Sequence, residues 1–217
     1  MTLPSEMTDT APAPIHLASA HDSEELARAE LYGLLATLWL APPGPDLLSQ
    51  FQVAVTQAPQ PGGWLEAPWE TLVGAMRATS AEAAAAEHEA LFHGVGKPEV
   101  FLYGSYHLSG FLNERPLAVL RDDLASLGLT KDADRGETED HLAYLFEVMR
   151  YLIAGDDAGV SNLEQQRRFF RAHVQPWVER MCEAVIAHPR AEVWRAVAEL
   201  TRSFVQVETQ AFDLLES

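Results

Sequence analysis

Apolar residues recur every three to four positions along most of this chain, and this spacing constrains the fold more than any other feature. Near the C-terminus, for example, Val193, Val197 and Leu200 follow one another at helical spacing. No long stretch alternates between apolar and polar residues, as a half-exposed strand would. Residues 100–103 could form a short strand, but no partner run is evident. We therefore predict an all-α fold.

Proline and glycine divide the helical pattern into segments. Asp22 is a suitable N-cap for the first helix, and the prolines of residues 41–45 end it. The predicted helices cover approximately residues 22–40, 45–57, 68–78, 81–93, 116–127, 138–154, 162–188 and 190–215, with a kink or break at Pro176. We expect a single domain of about eight to ten helices over residues 22–217, after a flexible leader at residues 1–21.

Charge and composition exclude several classes of function. The chain has 15 basic and 32 acidic residues, so its net charge of −17 argues against a nucleic-acid partner and suits a basic peptide, although an acidic surface can also serve solubility alone. Cys182 is the single cysteine, so neither an internal disulfide nor a cysteine-built zinc site can form. The first lysine or arginine is Arg28, and no apolar run approaches the ~18 residues of a membrane span. We expect a cytoplasmic protein without a membrane span.

The segment Gly136–Ile153 combines polar chemistry with a strongly apolar helical pattern. If the helix includes its first residues, Glu137, Asp140, His141 and Tyr144 share one face. Two carboxylates and an imidazole would then lie at a helix N-terminus. The alternative is an ordinary helix start, since acidic residues are favoured there and a histidine is often only hydrogen-bonded.

A metal-dependent helical-bundle enzyme is the alternative function that the histidines suggest. Glu89 and His93, like Glu137 and His141, are four positions apart and could contribute to a site between two helices. A di-iron bundle needs glutamate and histidine three positions apart, however, and a zincin helix needs two histidines four apart. His88 and His93 are five apart. We predict no metal site, no cofactor and no catalytic residue.

Aromatic residues surround Ser105 in a stretch, residues 94–110, that we expect to be irregular. Structureless segments of this length are uncommon in compact helical domains unless they are functional. The rings of Phe101, Tyr103 and Tyr106 either fill the core or form the wall of a peptide groove, and both interpretations stay open.

Four motifs in order resemble the TorD/DmsD/NarJ family of cytoplasmic redox-enzyme maturation chaperones, and its TorD-like branch most closely. They are RAELYGLLATLWLAPP (Arg28–Pro43), EALFHGVGKPEVFLYGSYHLSG (Glu89–Gly110), E-x-x-D-H-L at Glu137, Asp140, His141 and Leu142, and F-x-x-x-H-x-x-x-W at Phe169 or Phe170, His173 and Trp177. The resemblance spans residues 28–215.

This resemblance implies a non-catalytic chaperone with two helical subregions joined by a hinge at about residues 129–137. Family members bind the twin-arginine signal peptide of a molybdenum-cofactor enzyme, delay its export and assist cofactor insertion. The expected partners are therefore a molybdoenzyme catalytic subunit and its signal peptide, and the chain is expected to be a monomer or a domain-swapped homodimer.

The candidate peptide-binding and hinge residues are Tyr103, Ser105, Tyr106, Glu137, Asp140, His141 and Tyr144. In our hypothesis Glu137 and Asp140 supply negative charge to the peptide arginines, because carboxylates bind guanidinium groups by charge-assisted hydrogen bonds. The others would fix the hinge and the groove. Alternatively, Asp140 and His141 serve only to tie the hinge loop to the helix.

Overall fold

The structure is a computed structural model that describes residues 20–53, 63–94, 96–132 and 136–215. These residues contain ten α-helices. The helices are α1 (Ala20–Leu40), α2 (Pro45–Val53), α3 (Glu66–Ala78), α4 (Ala81–His88), α5 (Gly104–Ser109), α6 (Arg115–Ser126), α7 (Leu142–Ala154), α8 (Leu163–Phe169), α9 (Val178–Ile186) and α10 (Val193–Leu214). One π-helical turn, Glu89–His93, extends α4, and another, Phe170–Val174, extends α8. No strand occurs in these ranges, so the predicted all-α class is confirmed.

Local sequence signals set several helix ends. The Ser80 hydroxyl accepts a hydrogen bond from the Ala83 N–H at 3.2 Å and so caps α4. Gly128 follows α6 with a φ of 71°, a left-handed conformation that glycine adopts without steric cost. The predicted break at Pro176 is present, because regular helix stops at Val174 and resumes at Val178.

Several predictions about the helices differ from the structure. α1 already begins at Ala20, so Asp22 lies inside the helix instead of capping it. Residues 104–109 form the short helix α5, although we expected an irregular segment. α7 begins at Leu142 and not near residue 138, because residues 138–141 form a turn that is hydrogen-bonded to a distant segment. Residues 1–19 of the predicted leader and residues 54–57 of the predicted second helix lie outside the described residues.

The core brings together the first and last helices of the described part of the chain. α1 packs most extensively against α7, while α10 packs against α9, α3 and α4. Large fully buried rings from these helices fill the interior, among them Tyr32, Trp39, Phe146 and Trp194. None of the helices in the described ranges is both long and apolar enough to cross a membrane. The division into two subregions about a hinge at residues 129–137 stays a prediction.

Candidate functional site

Two segments that are far apart in the sequence meet at the E-x-x-D-H-L motif. Tyr103 and His141 form an isolated antiparallel bridge. The Leu142 N–H donates to the Leu102 carbonyl at 2.8 Å, and the Gly104 N–H donates to the Asp140 carbonyl at 2.9 Å. Residues 102–105, which include the first residues of α5, are therefore held by hydrogen bonds to residues 138–142, which end at the first residue of α7.

Asp140 is the centre of this junction. Its side chain is buried, with 3% of the residue exposed. One carboxylate oxygen accepts the Ser105 N–H at 2.8 Å, and the other accepts the Thr138 hydroxyl at 2.6 Å. A buried carboxylate whose two oxygens are hydrogen-bonded holds the two segments together. This geometry favours the tying role over direct contact with a peptide arginine.

His141 supports the same junction from the start of α7. Its Nδ1 accepts the Ala143 N–H at 3.3 Å, so the imidazole caps the helix. Burial lowers the pKa of His141 to about 4, and the nearby Glu137 and Asp140 carboxylates only partly oppose that effect. The neutral ring is therefore a hydrogen-bond acceptor and not a positive charge at neutral pH.

The predicted shared helical face is wrong, because Glu137 and Asp140 precede α7 and only Tyr144 lies within it. Glu137 is half-buried and accepts a hydrogen bond from the Tyr103 hydroxyl. Burial and the Glu137 carboxylate raise the pKa of Tyr103. The Lys131 ammonium donates to the Glu137 carbonyl at 2.8 Å, which holds the loop after α6 against the same turn.

The remaining predicted site residues have different surroundings. Ser105 is fully buried, and its Oγ has no hydrogen-bond partner within the described residues. Tyr106 is half-buried and stacks on Phe101 with ring centroids 3.9 Å apart. Both rings are therefore partly exposed and do not only fill the core, and a role of these rings as the wall of a peptide groove stays a prediction. Gly104 lies against the Trp177 indole, where an added Cβ would be 3.2 Å from Nε1.

A groove of about 660 Å³ lies beside this junction, between α1, α7, the end of α6 and the loop that follows α6. We call it the α1–α7 groove. Tyr144 is the one predicted site residue that lines it. The rest of the lining includes Ala36, Leu40, Glu139 and Tyr151.

The histidines considered for metal binding do not form a cluster of ligands. Within the described ranges, no group of three or more histidine, cysteine, aspartate or glutamate residues is arranged to hold a metal ion. His88 is buried against the Phe92 and Trp194 rings, and its Nε2 has no hydrogen-bond partner among the described residues. Burial raises the pKa of the Cys182 thiol, as expected of an unreactive core cysteine.

Sequence reasoning did not assign Thr138, Glu139 or Tyr151 to the site. Thr138 is close to Asp140 in the sequence, and its hydroxyl donates to that carboxylate at 2.6 Å. Glu139 and Tyr151 carry no local signal, because the groove they line forms only when three separate segments of the chain pack together, residues 36–41, 124–132 and 139–151.

Comparison with known proteins places this region in a family. The family model described as "Nitrate reductase delta subunit" matches residues 63–183, more than half of the chain, and includes every predicted site residue. "Chaperone protein TorD" of Vibrio cholerae serotype O1 El Tor Inaba is 26% identical over 116 residues, which cover 51% of this chain and 53% of that protein. The protein of the same name from a Classical Ogawa strain matches over the same shares. The chain thus spans about half the length of the curated relatives it matches. Because the family model covers most of the chain, the protein belongs to the nitrate reductase delta subunit family, within which its motifs are TorD-like.

Proposed function

We propose that this protein is a non-catalytic chaperone that assists the maturation of a molybdenum-cofactor oxidoreductase. The observation that carries the proposal is the family match over residues 63–183, together with relatives that are named chaperones. In this role the chain binds the apo catalytic subunit, its twin-arginine signal peptide, or both, before export. The proposed compartment is therefore the cytoplasm.

The charge of the protein supports recognition of a basic peptide. A net charge of −17 attracts a segment that carries two arginines, and this attraction weakens as salt screens it. The apolar run that follows the arginines in a signal peptide can bind as a helix in an apolar groove.

Within the motif, we propose different roles for the two carboxylates. Asp140 is buried and hydrogen-bonded, so it shapes the junction between the segments at residues 102–105 and 138–142. Glu137 is half-buried at the edge of the same junction, where a peptide guanidinium can reach its carboxylate. His141 and Tyr103 hold this turn in place.

Calorimetric titration of the full chain with synthetic signal peptides tests the proposal. The peptides come from trimethylamine oxide, dimethyl sulfoxide, nitrate and formate enzymes, each beside a variant with both arginines replaced by lysine. We expect one peptide to bind, with an affinity that falls as salt rises and falls further on Lys-Lys replacement, because lysine lacks the bidentate geometry of arginine. Binding that is equal for the Arg-Arg and Lys-Lys forms of every peptide would reject recognition of the arginine pair.

A further inference from the structure

The α1–α7 groove is concave because small side chains form part of its floor. Ala36 on α1 and Ala143 on α7 both line the groove and are both buried, and Ala41 lines it just after the end of α1. Leu40 and Val148 add apolar walls. A concave apolar surface of about 660 Å³ is within the range of ligand sites and has room for several apolar side chains.

Aromatic side chains border the groove along α7. Tyr144 is half-buried, while Tyr151 is 39% exposed although it is a large ring. Tyrosine is enriched at binding surfaces, since it supplies a large contact area and a polar hydroxyl at little cost in conformational entropy.

The rim of the groove carries carboxylates whose present partners are exchangeable. Glu139, with 16% of its side chain exposed, is 2.8 Å from Arg121, and Arg121 is itself 54% exposed. Glu147 pairs with Arg150 at 3.1 Å on the surface of α7. The Glu147–Arg150 pair is exposed and contributes only about 0–1 kcal/mol, so an incoming guanidinium can replace Arg150 at little cost. Glu139 is mostly buried, and a peptide guanidinium that replaces the exposed Arg121 there would make the same charge-assisted hydrogen bond. Asp132 adds a third carboxylate to the lining, which also holds Lys131 and Arg150, so carboxylates outnumber cations there by three to two.

We propose that the α1–α7 groove is the docking site for the signal peptide, with the apolar run against the α1 and α7 walls and an arginine beside Glu139. This inference rests on the proposed function and names its site. It places the main contact area outside the buried Asp140–Ser105 junction, which positions the Glu139 end of the groove. A second copy of the chain is a poor occupant, because each copy carries a net charge of −17.

The test is calorimetric titration of full-length variants with the same synthetic signal peptides. Thr37 is exposed, lines the groove and donates its hydroxyl to the Gly33 carbonyl at 2.9 Å. Thr37→Arg puts a long cation into the groove, so we expect the peptide affinity to fall about tenfold or more. Tyr151→Ala removes contact area and adds no charge, and we expect it to lower the peptide affinity as Thr37→Arg does.

Thr71→Arg is the matched control. Thr71 is also an exposed helical threonine whose hydroxyl donates to a carbonyl one turn earlier, that of Ala67 at 2.9 Å, but it lies on α3 and outside the groove lining. This variant should bind the peptide as the wild-type protein does. Circular dichroism and sedimentation velocity establish that each variant is folded and report its oligomeric state.

The possible outcomes distinguish a failure of the proposed docking site from a failure of the proposed function. Wild-type binding that neither Thr37→Arg nor Tyr151→Ala weakens would reject the groove and leave the chaperone proposal standing. If the wild-type chain binds no signal peptide, both peptide recognition and this use of the groove fail. If Thr37→Arg dissociates a wild-type dimer without changing peptide affinity, the groove is an interface between copies, which also overturns the proposal.

Discussion

Two buried polar residues, Asp140 and His141, hold the backbone around the motif in place by hydrogen bonds. Asp140 uses one oxygen for the Ser105 N–H and the other for the Thr138 hydroxyl, so it joins two segments more than 30 positions apart. His141 accepts a hydrogen bond at the start of α7. The motif residues thus hold two segments of the chain together.

Asp140→Asn is expected to reduce the free energy of unfolding by about 2 kcal/mol, because charge-assisted hydrogen bonds in a buried site are replaced by weaker neutral ones. Urea denaturation measures this change. Asp122→Asn on the exposed side of α6 is the control and should change stability by less than about 0.5 kcal/mol. Unchanged stability of Asp140→Asn combined with lost peptide binding would show that Asp140 contacts the peptide.

The burial of His88 predicts that the stability of the protein falls at acidic pH. Burial lowers its pKa from 6.5 to about 4, with smaller effects of His93 and His141 in the same direction. Between these values the unfolded chain binds a proton that the folded chain does not, so stability falls as pH drops from about 6.5 to about 4. Above pH 6.5 His88 contributes no pH dependence.

His88→Leu should remove this loss of stability, which reaches up to about 3 kcal/mol in the free energy of unfolding at pH 4. The measurement is the urea midpoint of the variant and of the wild-type protein at several pH values. The difference between the two curves cancels the titration of the carboxylates that they share. Parallel curves from pH 7 to pH 4 would contradict the buried, neutral state of His88.

At the scale of elements, α4 and α10 are joined by an unusual cap. The Glu87 carboxylate, which belongs to α4, accepts the backbone N–H groups of Glu192, Val193 and Trp194 at 2.8, 3.0 and 2.9 Å. It therefore satisfies free N–H groups at the start of α10 from a position more than 100 residues earlier in the chain. Negative charge is favourable there because of the helix dipole.

Glu87→Gln is expected to lower the free energy of unfolding by about 1–2 kcal/mol, since the charge at the helix N-terminus and one of the two acceptor oxygens are lost. Thermal or urea unfolding measures the effect. Glu183→Gln, at an exposed position on α9, removes the same charge without a cap. Equal effects of the two substitutions would show that net charge, and not capping, is responsible.

The sequence predicted helices well where local signals set their ends and poorly where distant contacts did. Ser80, Gly128 and the region of Pro176 behave as their local chemistry indicates. The turn at residues 138–141 was predicted as helix, because its pairing with residues 102–104 leaves no trace in local spacing. For the same reason the sequence revealed Tyr144 but not the groove that it lines.

At the scale of the whole molecule, the two ends of the described chain are tied together inside one core. The Arg28 guanidinium on α1 donates to both carboxylate oxygens of Glu208 on α10, at 2.9 and 2.7 Å, and the buried Tyr32 hydroxyl donates to the same group at 3.0 Å. Trp39 donates to Thr201 at 3.0 Å. These contacts fix α1, which forms one wall of the α1–α7 groove, relative to the C-terminal helix.

The maturation of a client enzyme tests the proposed chaperone function most directly. Each candidate molybdoenzyme catalytic subunit is produced in a bacterium that lacks its own chaperone of this family, with and without the present chain. The measurement is the molybdenum content per purified catalytic subunit. We expect the chain to raise that content for one client, and Thr37→Arg to raise it less than Thr71→Arg does. Equal molybdenum content with and without the chain for every client would contradict the account.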